Sequence, residues 1–449
     1  MGTGSRAKST AKTRPAPPHT AANERTPGNR VPRFMGTVHR ADRPAGEAVA
    51  STVDEAAPFL DVADPAFSVR SADVRRAREA GWYARTSYGV AVLRHDQVAR
   101  LIRHPDLRQG SRLWPAHHGV TSGPFADWWA SWVLNQEGEA HQRLRRLLNP
   151  AFSRRIIDRL QPRFAALAGE LAGPLAPRAR CEFMSEFAAP YAARAIAILL
   201  GIPEEDWATI AAHSATVGLA TGVRIREHLP RIEASLAALH GYADALIADR
   251  HRSPRRDFVT CLACPPAGQE HLSDTELRDS LVLLIFGGFD TTRNQLGLAM
   301  QAFLDHPGQW RLLGEHPELG PAAVEEVMRV SPTTTWVTRE AVADFTFDGL
   351  DIPAGTTIHL FCESAGTDPR AGRAEFDITA AGQPPHFGFG GGIHYCLGHL
   401  VARTDMCAAL TVLARLLREP RAAGPATWLP DSGNTGPVRL PIAFAALGL

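Results

Sequence analysis

Phe389-Gly390-Gly391-Gly392-Ile393-His394-Tyr395-Cys396-Leu397-Gly398 is a glycine-rich loop that delivers one cysteine to the mouth of a helix. The helix follows as Leu400-Val401-Ala402-Arg403, and apolar residues continue through Leu417. A thiolate at Cys396 gains three supports from that setting. The positive end of the helix dipole favours its charge. Free amides at the helix start, near Leu397 and Gly398, can donate to sulfur. The glycines let the backbone pass close to something flat and bulky. A flat metal macrocycle with one axial thiolate satisfies all three. A lone cysteine in a glycine-rich turn would instead read as a small buried hydrophobe, so the rest of the chain has to decide.

The chain has 449 residues, 45% apolar and 21% charged, with a net charge of +1. These values describe an ordinary globular protein with ample core, and the charge balance gives no reason to expect nucleic-acid binding. No apolar run reaches membrane-spanning length; Leu281 to Phe286 is too short and has Asp290 just beyond it. The N-terminus has no apolar segment of the secretory kind. The six cysteines are sparse and not spaced as a disulfide framework, which points to a reducing cytosol. Cys261 and Cys264 form a single C-x-x-C that lacks further ligands for zinc or a redox-fold context.

Residues 1–50 read as a disordered basic tail, rich in Pro, Ala, Thr and Arg, and both lysines of the chain, Lys8 and Lys12, lie there. Residues 51–449 read as one continuous domain, mainly α with small β-sheets. Strand patterns are expected at Tyr88–Leu93, Phe345–Ile352, Thr356–Phe361 and Val438–Phe444. Helical periodicity fills His141–Leu148, Ile156–Leu171, Ala188–Leu200, Leu236–Ala248, Asp274–Leu304, Ala322–Val330 and Leu397–Leu417.

The longest of these helices begins after Ser273, a good N-cap, and carries Gly287-Gly288-Phe289-Asp290-Thr291-Thr292 at its centre. Paired glycines cost a helix about 1 kcal/mol each, so they belong where the helix bulges or a ligand approaches. An acid beside a hydroxyl on an apolar helix marks a small polar pocket in an apolar wall. Downstream, Glu326 and Arg329 stand three residues apart, on one helix face and within reach of each other.

Phe389, Gly392, Cys396 and Gly398 match the haem-binding signature of the cytochrome P450 family, and the chain resembles that family from Asp64-Pro65-Ala66-Phe67 to the C-terminus. The resemblance implies the cytochrome P450 fold in a single haem-binding domain, with haem b as cofactor and Cys396 as the iron ligand. It places Phe389 and Gly390 beside the sulfur. His141, Arg145, Arg339 and His394 would hold the haem propionates. Gly287 and Gly288 would open the oxygen pocket, Thr291 would hydrogen-bond the oxygen being activated, and Asp290 would feed protons towards it. Glu326 and Arg329 would form a buried structural pair. Their usual third partner is less clean here: Glu375 stands where an arginine often does, and Arg373 is the nearest substitute.

Four of the nine tryptophans, Trp114, Trp128, Trp129 and Trp132, fall in the segment that the resemblance puts over the haem. A closed apolar substrate pocket bounded by Trp114, Phe289, Thr335 and Trp336 is therefore expected.

These readings together point to a cytoplasmic haem-thiolate monooxygenase. It would insert one atom of dioxygen into a hydrophobic small molecule, free or carrier-bound, in specialised metabolism. With no flavin or iron–sulfur segment in the chain, electrons would come from NAD(P)H through a separate ferredoxin and ferredoxin reductase. Unpaired arginines beside Arg145, with Arg154 and Arg155, would offer an acidic donor a basic patch. The rival readings are oxidative coupling or ring formation in the same pocket, a non-catalytic recruitment domain of this fold, and a zinc protein built on Cys261 and Cys264.

Overall fold

The computed structural model describes residues 56–445. The segment 1–50 lies outside them. At the centre runs the helix Asp274–Asp305. It starts on a reciprocal cap: the Ser273 hydroxyl accepts from the Glu276 N–H at 3.3 Å, and Glu276 Oε2 accepts from the Ser273 N–H at 2.8 Å. It ends at Asp305, two residues before Pro307, which begins the next helix. The helices Ala189–Leu200, Trp207–Gly218 and Ile225–Arg252 pack against it. The helix His399–Leu416 packs on Arg154–Ala172 and on Gly320–Val330. One large apolar cluster joins these helices, with Phe164, Phe187, Leu281, Phe303, Trp310 and Leu410 fully buried in it.

A six-stranded sheet covers the flank. Its strand order is Phe59–Leu60, Tyr83–Thr86, Gly89–Val92, Thr357–Phe361, Trp336–Ala341 and Leu107–Gln109. Within it Trp336 pairs with Phe361, Thr338 with His359 and Gln109 with Arg339. Neighbouring side chains alternate between the two faces, so this register decides which residues can reach the central helix. A second sheet joins Arg418–Ala422, Pro441–Ala445 and Arg180–Glu182.

Several elements differ from the sequence expectation, among them the short helices Ala72–Ala80, His95–Leu101, Phe258–Ala263 and Pro307–Glu315, and the expected strand Phe345–Ile352, which is the hairpin Phe345–Phe347 and Leu350–Ile352. The helix expected from Leu236 begins at Ile225 and runs through Pro230, which lies inside it and forgoes one hydrogen bond to the preceding turn. The helix Trp207–Gly218 was not expected, because its alanine- and threonine-rich composition shows little periodic contrast. Trp336–Ala341, absent from the expected strands, is an interior strand of the sheet beside its edge strand Leu107–Gln109.

Candidate active site

The loop from Phe387 to Gly398 folds back on itself so that the Cys396 N–H donates to the Phe389 carbonyl at 3.0 Å. Gly390 and Gly392 hold φ of +69° and +68°, a region costly for any side chain, which explains glycine at both positions. Cys396 lies two residues before Gly398, the N-cap of His399–Leu416. Burial pushes its thiol up; the Gly398 N–H, donating to sulfur, and the Arg145 and Arg403 guanidiniums pull the other way. Behind the sulfur, the Arg403 guanidinium stacks over the Phe389 ring at 4.4 Å and grips Glu325 with two hydrogen bonds, at 2.5 and 3.0 Å.

Cys396 opens on a cavity of about 440 Å³. Phe389, Gly390, Gly398, His141, Arg145, Arg339 and His394 line it together with Gly287, Gly288 and Thr291. The cysteine loop and the polar centre of the long helix, more than a hundred residues apart in sequence, therefore face one space. Thr291 donates its hydroxyl to the Gly287 carbonyl at 2.5 Å. The two glycines do different jobs. A Cβ on Gly287 would meet open space, whereas one on Gly288 would lie 2.5 Å from Ile196 Cδ1.

Asp290 does not line the cavity. It is buried beside it, accepting from Arg293 Nη2 at 3.0 Å and from Asn294 Nδ2 at 3.3 Å. Burial pushes its carboxyl up, opposed by Arg293 and by a hydrogen bond from Asn434. Asn434 itself lines the cavity, so it connects Asp290 to that space. Asp405, on the helix after Cys396, is a second buried carboxyl lining the cavity. Its Oδ1 has no partner among the described residues, and burial drives it well above the carboxylate range. Neither residue stands out in the sequence: Asn434 lies in an irregular loop, and Asp405 looks like a polar position on an amphipathic helix.

At one end of the cavity the rings of His141 and His394 lie 4.4 Å apart, and the Nδ1 atoms of both are buried without a partner among the described residues. Burial, with His394 and Arg145 close by, pushes His141 down to about 4. Arg339, 3% exposed, donates to Ile102 O and Gly391 O, each at 3.3 Å, and to Gln109 Oε1. Burial pushes it down to about 10. Arg145 is likewise pushed down by burial, with only the Cys396 sulfur acting on it in the opposite sense. One buried and one half-buried guanidinium, with two orphaned imidazole nitrogens around a thiol, suit a flat group that carries two carboxylates, so the residues fit haem.

Two of the four expected pocket residues lie elsewhere. Trp114 and Trp336 line the cavity. Phe289 points away, packed with Ala192 and Ala193 between neighbouring helices, because its position on the long helix faces outward from the Gly287–Thr291 side. Thr335 turns its hydroxyl to the Gly433 carbonyl at 3.1 Å, and its neighbours Thr333 and Thr334 line the cavity instead. The basic patch is also smaller than expected. Arg143 is paired with Glu270 at 2.8 Å and with Glu276 at 2.6 Å, Arg146 reaches Glu270 at 3.3 Å, and Arg154 lies 3.8 Å from Asp158.

Comparison with known proteins agrees with this geometry. The family model described as "Cytochrome P450" matches residues 316–419. A luteothin monooxygenase from Streptomyces thioluteus is 36% identical over 393 residues, spanning 87% of this chain and 96% of that protein. A nocardicin C N-oxygenase from Nocardia uniformis subsp. tsuyamanensis is 32% identical over 70% of this chain and 79% of its own length. Among solved structures, CalO2 superposes with a TM-score of 0.76 at 30% identity, over 86% of this chain and all of that one. The chain belongs to the cytochrome P450 family and is a haem monooxygenase. No helix among the described residues is long and apolar enough to cross a membrane.

Proposed function

We propose that this enzyme oxygenates a largely apolar small molecule of specialised metabolism, that Cys396 would hold the haem iron, and that Thr291 and Asp290 serve oxygen activation. The observation that carries the reading is the shared cavity, with a helix-mouth thiol on one wall and the Thr291 hydroxyl on another. Haem b, when bound, supplies the iron at which dioxygen is reduced and split. Arg145, Arg339, His141 and His394 hold its propionates. The bare face of Gly287 leaves room beside the Thr291 hydroxyl, which can turn from its own backbone carbonyl towards a ligand. Asp290, kept easily protonated by burial, passes protons inward through Asn434 and water. Electrons come from NAD(P)H through a separate ferredoxin and its reductase. Relatives named luteothin monooxygenase and nocardicin C N-oxygenase support a role in specialised metabolism.

The test is the reduced carbon-monoxide spectrum of the purified protein. Wild type should show the red-shifted thiolate band, and Cys396→Ser should lose it. A mutant that keeps the band would move the ligand to another cysteine.

A further inference from the structure

The cavity carries formal charge at one end only. Of the described residues lining it, the charged side chains apart from histidine are Arg145, Arg339 and Asp405. All three are tied to the cysteine loop. Arg145 acts on the Cys396 sulfur, Arg339 donates to Gly391 O, and Asp405 lies on the helix that follows. Another wall is built from the sheet, and there Arg339, next to Thr338 along the strand, falls on the opposite face. Trp336, Thr338 and His359 share one face there, because Trp336 and Thr338 alternate along one strand and Thr338 pairs directly with His359 on the next.

His359 is 1% exposed, and its Nδ1 has no hydrogen-bond partner among the described residues. Its ring lies 5.1 Å from Trp336 and 6.1 Å from Tyr88. Tyr88 in turn stacks on His117, with centroids 5.8 Å apart and planes 8° from parallel. His117 and His359 both line the cavity. Burial lowers both imidazoles, His359 to about 3, so both are neutral at ordinary pH. An imidazole held neutral can give or take one hydrogen bond but cannot balance an ion. A carboxylate or ammonium brought against this wall would lose its water and find no counter-charge.

We propose that the substrate is uncharged, with a flat apolar part against Trp336 and one neutral polar group, such as a ketone or lactone, held by His359. This rests on the cavity being the substrate site of the haem-loaded enzyme. It goes beyond that reading by fixing the charge of the substrate and the residue that reads its polar end.

Three probes of one shape test it on the full haem-loaded chain: octylbenzene, octanophenone and 4-octylbenzoate. Binding is read from tryptophan fluorescence quenching and from the ferric absorbance shift. In wild type, octanophenone should bind about tenfold tighter than octylbenzene, the worth of one hydrogen bond in a dry site, and 4-octylbenzoate should bind weakest. His359→Phe should keep the octylbenzene affinity and lose the ketone preference. Tightest binding of 4-octylbenzoate to wild type would overturn the proposal, and so would a ketone preference that survives His359→Phe. The wild-type ranking decides the charge question even if the variant fails to fold. Wild-type protein that lacks the thiolate band would instead sink the broader functional reading.

Discussion

Thr291 spends its hydroxyl on the carbonyl of Gly287, one turn back along the same helix, at 2.5 Å. Only one of the two glycines there leaves space: Gly287 faces the cavity, and Gly288 faces Ile196. The side chain is thus parked on its own helix, beside an opening that a ligand can enter.

Thr291→Ala should therefore leave haem loading and stability nearly unchanged. With any substrate that wild type turns over, it should cut product per electron pair on the order of tenfold, with hydrogen peroxide making up the difference. Thr291→Ser should restore much of the coupling. Asp290→Asn should slow turnover and enlarge the solvent isotope effect. Normal coupling in the alanine variant would remove Thr291 from the mechanism.

The two glycines should respond differently to alanine. Gly287→Ala should stabilise the protein, by up to about 1 kcal/mol from helix propensity, while weakening ligand binding in the cavity. Gly288→Ala should destabilise by about 1–3 kcal/mol, because its methyl overlaps Ile196. Adding Ile196→Val, which removes the clashing Cδ1, should recover most of that loss. Urea midpoints of the single and double variants check the coupling.

Glu326 and Arg329 are both buried and joined by two hydrogen bonds, of 2.8 and 2.7 Å. Arg329 also donates to the carbonyls of Gly366, Arg373 and Glu375, at 2.7, 2.6 and 2.8 Å. Backbone thus takes the place of a third side chain, and the Arg373 side chain itself is exposed and paired with Asp377 at 2.9 Å. Glu326→Gln should cost about 3–5 kcal/mol by leaving a buried guanidinium unpaired, whereas Arg373→Ala should leave the unfolding midpoint unchanged. A large loss in the Arg373 variant would return that side chain to the triad.

Glu363 should make stability fall as pH rises. Burial pushes its carboxyl up from 4.5 to about 7, despite the Arg70 guanidinium 2.9 Å away and with Asp431 adding to the rise. The folded state binds this proton more tightly than the unfolded chain does. The contribution is fully present below about 4.5 and is lost as pH passes through about 7, a fall of up to about 3 kcal/mol. Glu363→Gln should remove that slope between pH 5 and 8 and be the more stable protein at pH 8. Parallel slopes for the two proteins would show that Glu363 stays ionised.

Much of the fold could be read from the chain alone, because its strongest signals are local. The glycine spacing around Cys396, the capped run from Ser273 and the i, i+3 pair of Glu326 and Arg329 each depend on neighbours within a turn or two. Periodicity also separated helices from strands wherever apolar and polar residues alternate clearly, and it failed at Trp207–Gly218, where they do not. What the chain could not state was direction. Phe289 lies two residues from the cavity-facing Gly287 in sequence but packs between helices, and Thr335 turns to Gly433 while Thr334 and Trp336 reach the cavity. Asn434 and Asp405 come to the cavity only because a distant loop and the cysteine helix are folded against the central helix. Motif chemistry is set by spacing along the backbone. The side a residue faces, and so the charge and polarity of the substrate wall, is set by strand register and helix rotation, which exist only once the whole core has packed.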